Sequence, residues 1–266
     1  MESSDVPTGP GGPSSVAPAG AAPPERAGSL VGPGPIRPGA VWGWVVLASL
    51  LAGLGSWACG EATFDFYTVS EAAAKNLQDP GPMRKELAVI VPRNVAIANG
   101  AQGALLGLVL GLAGGLARGR WKSGLGAGLA GMVVGGLAGA ALSFALVPLF
   151  QKHYDPAGQT LLITALARAG IWSAIGAVVG AAFGWGLGGV RQVGHSLLLG
   201  FLGGMVGTTV FELVNALANP SDLNDQVIPT HWTSRLIAYL IVAVFVGLGA
   251  ALSVRKGEKP SAPEIA

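Results

Sequence analysis

Glu212 is the one carboxylate inside an otherwise uncharged apolar run, Ser196–Ala218, and Arg93, Arg168 and Arg235 each stand at the opening of another apolar run. Glu212 lies six residues before Ala218, about 9 Å of helix at 1.5 Å per residue. At that depth a carboxylate facing lipid costs on the order of 1–3 kcal/mol, so it is expected to face protein and to meet a cation. Arg168 and Arg235 are the expected partners. The three arginines repeat one arrangement, a cation near a helix N-terminus where the macrodipole disfavours it, which calls for compensation by pairing or by snorkelling. Asn99, Gln102, Thr208, Thr209 and Asn215 are the other polar groups within reach of a path through such helices.

The remaining chemical signals dissolve on inspection. GAGLAG, from Gly126 to Gly131, matches G-x-G-x-x-G. That fingerprint cradles a pyrophosphate only between a strand and an opening helix. Here it lies inside Ser123–Phe150, which has no charged residue, so no nucleotide site is expected. GLGSWACG at Gly53 breaks the G-x-S-G spacing of an intramembrane serine protease, and His153 and His231 have no partner at metal-ligand spacing. Cys59 is the only cysteine, so no internal disulfide can form. No catalytic residue, metal or cofactor is expected, and the chain does not read as an enzyme.

The elements that must position Glu212 and the arginines follow from hydropathy. Hydrophobic residues make up 51% and charged residues 11% of the 266, against about 25% charged in soluble domains. The net charge of +2 is scattered, which excludes a nucleic-acid surface. Six runs are long enough to cross a bilayer: Val41–Cys59, Asn94–Ala117, Ser123–Phe150, Ala169–Val190, Ser196–Ala218 and Leu236–Val254. The fold class expected is an all-α integral membrane protein with a six-helix domain over 41–254. Residues 1–40 hold nine prolines and eight glycines and are expected to be a disordered tail rather than a signal peptide; residues 255–266 form a second tail. The lipid bilayer is the first expected partner, with a second copy or another membrane protein as further ones.

Glycine spacing suggests how the helices pack. Gly103, Gly107, Gly111 and Gly115 form a ladder with period four, as do Gly176, Gly180, Gly184 and Gly188, 73 positions later. Gly124, Gly128, Gly131, Gly135 and Gly139 run along the third span. Such ladders open flat grooves for close helix contact. The hairpins read as two parallel repeats, and PRNVAIA, ARAGIWS and SRLIAYL suggest a third. Spans two to five are expected to form the tight centre. In the loops, Ser70 is expected to cap a short helix in SEAAAKNLQDP, Asp155–Pro156 to start another, and LLITALA to lie along the interface. The function expected is a glycine-zipper-packed assembly or scaffold protein, with a small-solute or ion transporter using the polar groups near Glu212 as the alternative.

Lys and Arg set the orientation. Both tails, the RGRWK link and Arg191 fall on one side with nine basic residues, against seven on the other, which places both termini in the cytoplasm. Cysteines placed at Ser3, Lys122 and Lys259, each in a Cys59→Ala background, should react with an impermeant thiol reagent only in opened cells. Those at Lys75 and Asp222 should react in intact cells. Labelling at 122 with none at 75 in intact cells would invert this topology.

Overall fold

The computed structural model describes residues 38–63, 66–75, 79, 81–153, 160–188, 190–218, 227–229 and 231–254. The tails at 1–37 and 255–266 and the Asp155–Pro156 start lie outside them. Seven helices cover the described residues: α1 Pro38–Thr63, α2 Glu71–Lys75, α3 Gly81–Ala117, α4 Trp121–His153, α5 Thr160–Leu187, α6 Val190–Ala218 and α7 Trp232–Leu252. All but α2 are long and apolar enough to cross a membrane. In α2, Ser70 accepts the Ala73 amide at 3.3 Å, and Glu86 on α3 accepts both the Ser70 amide and its hydroxyl at 2.7 Å.

Several helices run past the apolar runs that announce them. α3 has 37 residues, about 55 Å of helix, because MRKELAVIV consists mostly of residues that accept a helix and continues through Pro92. LLITALA belongs to α5 rather than to an interfacial segment. These extensions leave Arg93 more than three turns inside α3 and Arg168 more than two turns inside α5. The dipole acts over the first turn, so only Arg235, at the start of α7, feels it.

α3, α5 and α7 are the inner helices: an apolar 18-residue stretch of each is 56% buried, against 28% and 33% in α4 and α6. The centre is therefore not spans two to five: α7 belongs to it, and α4 and α6 lie outside. α1, α4 and α6 alternate with the inner three in a closed ring, each outer helix packing on two inner ones. Leu106, Leu110, Ile171, Ile175, Phe183, Val242 and Val246 are fully buried on the inner helices. The outer faces carry exposed Val133, Leu137, Leu198 and Leu213.

Backbone meets backbone at the crossings. A Cβ on Gly103 would fall on the Gly135 carbonyl, and one on Gly107 on that of Gly131. One on Gly111 would lie 2.7 Å from the Gly128 Cα, and one on Gly139 would strike the Asn99 carbonyl. Between α5 and α6, Gly176 meets Gly200, Gly180 meets the Ser196 carbonyl, and Gly184 meets Val193. Matched contact for contact, Gly107, Gly115 and Gly131 correspond to Gly176, Gly184 and Gly200, 69 positions on, one rung away from the 73 that aligns Gly103 with Gly176. Gly188 is not a rung. It follows the last residue of α5 at φ +80°, and its amide closes onto Gly184 and Trp185, the left-handed stop that glycine permits. Gly119, at φ +66°, ends α3 in the same way.

Because a single Cβ already overlaps backbone, Gly107→Ala and Gly176→Ala should each lower stability by about 1–3 kcal/mol, the cost of overpacking. Gly126 and Gly194 have nothing within 4 Å of such an atom, so Gly126→Ala and Gly194→Ala should be neutral or slightly stabilising. Thermal melts of the four purified variants in one detergent check the contrast; equal melting temperatures would refute it.

Candidate functional site

Glu212, Arg93, Arg168 and Arg235 lie toward the end of the bundle remote from the Gly119 and Gly188 turns, here termed the loop end. Arg168 is fully buried. Its Nη1 donates to Glu212 Oε1 at 2.6 Å and its Nε to the Val227 carbonyl at 3.0 Å. The guanidinium lies 5.5 Å from the centre of the Phe211 ring, which meets Trp172 edge-on at 5.7 Å. A buried cation persists only when its charge and its donors are met. Carboxylate, carbonyl and ring face together do this for Arg168. Glu212 keeps 28% of its side chain exposed, so the pair is dry on the arginine side and open on the acid side.

Arg235 does not join Glu212. Its Nε and Nη2 make a bidentate pair with Glu61 at 2.5 and 2.8 Å, and its Nη1 donates to the Pro229 carbonyl at 3.1 Å. Glu61 escapes a reading of the apolar runs because the first one ends at Cys59, whereas α1 continues to Thr63. An acid within one turn of a span end, opposite an arginine at the start of another span, is the signal that would have found it. Arg93 stays exposed, 5.5 Å over the Tyr67 ring. Its neighbour Asn94 takes the Tyr67 amide at 3.2 Å and donates to the Tyr67 carbonyl at 2.9 Å.

These contacts have one consequence: each inner helix holds a loop carbonyl at the loop end, through Asn94, Arg168 and Arg235. Val227 and Pro229, which supply two of these carbonyls, are buried. Between α3 and α4, buried Asn99 donates to Ser143 Oγ at 2.9 Å, and Ser143 donates to the Gly139 carbonyl at 2.7 Å. Asn99 and Ser143 are separated by 44 residues, as are Arg168 and Glu212. The neutral pair thus occupies between α3 and α4 the place that the ion pair occupies between α5 and α6.

The other polar candidates separate. Thr208 and Thr209 donate to their own helix, at Gly204 and Met205, and Asn215 is buried with a partner. Gln102 is fully buried with no hydrogen bond at either amide atom. Among the described residues no cluster of His, Cys, Asp and Glu could hold a metal ion. The site can fix two loop segments electrostatically and can hold charge away from water.

Breaking a buried pair costs about 3–5 kcal/mol, so Arg168→Gln or Glu212→Gln should lower stability markedly. A double-mutant cycle in urea or by thermal melting should give a coupling above about 1 kcal/mol for Arg168 with Glu212 and for Arg235 with Glu61. Arg93 with Glu212 should give none. No family model, curated protein or solved structure matches this chain.

Proposed function

We propose that the chain is an integral protein of the cytoplasmic membrane, with both termini in the cytoplasm, and that it serves as a glycine-zipper-packed scaffold on which other membrane components assemble. The observation that carries this reading is the combination of an apolar core buried between the inner helices with an apolar exterior. The inner helices bring fully buried Leu106, Leu110, Ile175 and Val246 into one core, while Val133, Leu137, Leu198 and Leu213 face outward. Water would not tolerate such an exterior on a monomer, whereas lipid or a neighbouring helix would. Asn99, Arg168 and Arg235 are each paired with a side chain of an adjacent helix.

Parallel repetition extends the reading. α3 with α4 and α5 with α6 form two units. α7 with α1 forms the third, in which a Cβ on Gly53 would meet Ala243 at 3.2 Å and Arg235 takes Glu61 as Arg168 takes Glu212. The first helix of the chain then completes the last unit and closes the ring.

Transport of a small solute or ion is the second reading, and Gln102 is what favours it: a buried amide with free donors and acceptors is costly unless a passing solute or water uses it. The two readings part at this residue. On the scaffold reading, Gln102→Leu removes two unmet groups and should raise stability by about 1–3 kcal/mol. Purified protein in vesicles should then pass ions and small metabolites no faster than empty vesicles, while cysteines at Leu137 and Leu198 should crosslink to a second copy or another protein in native membranes. Solute flux that Gln102→Leu abolishes, with no crosslinked partner, would replace the scaffold with the transporter.

A further inference from the structure

Among the described residues, the opposite end of the bundle, around the Gly119 and Gly188 turns, carries cations and no acids. Arg118 Nη1 donates to the Gly188 carbonyl at 3.2 Å. Arg120 reaches the same glycine, its Nη1 3.1 Å from where a Gly188 Cβ would stand. Two guanidinium groups therefore converge on one turn. Neither has a carboxylate partner among the described residues, and Arg118 Nε is buried with no hydrogen bond. Burial, then the charge of Arg120, lowers the hold of Arg118 on its proton, so an anion here would relieve both. Lys122, lying 5.9 Å over the Trp121 ring, adds to the charge, and Arg191 is exposed nearby in sequence to the turn. The N-termini of α4 and α6 also lie at this end, where free amides favour negative charge.

An apolar groove of about 410 Å³ opens beside this cluster, between α4, α5 and α6. Ala130, Val134, Val178, Trp185, Val190 and Val193 are among its lining residues. Val190, two positions after Gly188, is 91% exposed. Trp185 and Val190, at one end of the groove, stand within three residues of Gly188, and the rest of the groove runs along apolar helix faces. A free phosphate would use only the cations and leave the groove bare; an apolar chain alone would leave the cations unmet. A molecule with an anionic head and a hydrocarbon tail satisfies both.

We propose that this end binds an anionic phospholipid, its phosphate held by Arg118 and Arg120 and one acyl chain laid in the groove between α4, α5 and α6. The inference rests on the membrane reading above and names a lipid that the bundle would select from that membrane. It also gives Gly188 a purpose beyond ending α5, since a side chain there would point into the two guanidinium groups.

Vesicles of equal phosphatidylglycerol and phosphatidylcholine carrying the full chain provide the test. The protein is first washed in alkaline carbonate, then extracted in mild detergent, and the lipid it retains is counted by native mass spectrometry. Phosphatidylglycerol should be retained over phosphatidylcholine by about tenfold, the effect of one to two effective cation contacts. Arg120→Gln, at an exposed position, should remove most of that preference, and Ala181→Leu, which narrows the groove, should shorten retention of the anionic lipid. Lys75→Gln, at the loop end, should change neither. Equal retention of the two lipids, retention of added inorganic phosphate in place of lipid, or a dimer whose formation blocks the groove would each overturn the proposal while the membrane reading stands. Release of the protein by carbonate would remove both.

Discussion

Where α3 crosses α4, the Gly107 backbone lies against the Gly131 carbonyl with no side chain between them, and the bundle is arranged around approaches of this kind. Glycine in a helix costs about 1 kcal/mol relative to alanine in water. Close backbone contact returns dispersion energy and brings helix axes together. The inner helices must then share a narrow centre, in which Leu106, Leu110, Ile175 and Val246 are fully buried. The same approach leaves no room for solvent around a polar group between helices, so each such group needs a partner at a fixed level. Asn99 with Ser143 and Arg168 with Glu212 meet that demand at matching places in two hairpins.

The change from a neutral pair to an ion pair at one structural level has consequences for order at the loop end. Asn99 and Ser143 satisfy each other and their own helix, and no loop contact of theirs is needed. Arg168 has more donors than Glu212 can accept, and its Nε reaches out to Val227. Arg235 does the same toward Pro229. The segment before α7 is thereby held by two arginines from neighbouring inner helices. Charge in this bundle therefore orders loops as well as neutralising charge.

The six long helices are legible in the runs that lack charge, because no other element of that length hides its backbone from lipid. Their ends are not: the residues before Asn94 and Ala169 are polar enough to read as loop and good enough helix formers to continue α3 and α5. Glycine density points to α4 as central, yet its packed glycines lie on one face, and the other face, with Gly126, is exposed. α7 has fewer glycines and is buried on both sides, against α1 through Gly247 and against α6 through Gly249. Register is hidden for a simpler reason. A ladder of period four matches itself when slid by four, so Gly103 aligns with Gly176 as well in sequence as Gly107 does in space. Of the polar site, Glu212 and the arginines are visible as exceptions in apolar surroundings and Glu61 as an acid just past a span end, while the pairing of Asn99 is fixed only by helix lengths and rotations that one sequence does not display.

Disulfide trapping across the α3–α4 crossing tests the glycine-rung account most directly. A Cβ on Gly136 would lie 3.3 Å from the Ala104 Cβ, close to the separation that a disulfide spans. In a Cys59→Ala background, Ala104→Cys with Gly136→Cys should oxidise rapidly in native membranes, and Ala104→Cys with Ala140→Cys, one rung out of register, should not. Rapid oxidation of the second pair and none of the first would contradict the register, and oxidation of neither would contradict the close crossing itself.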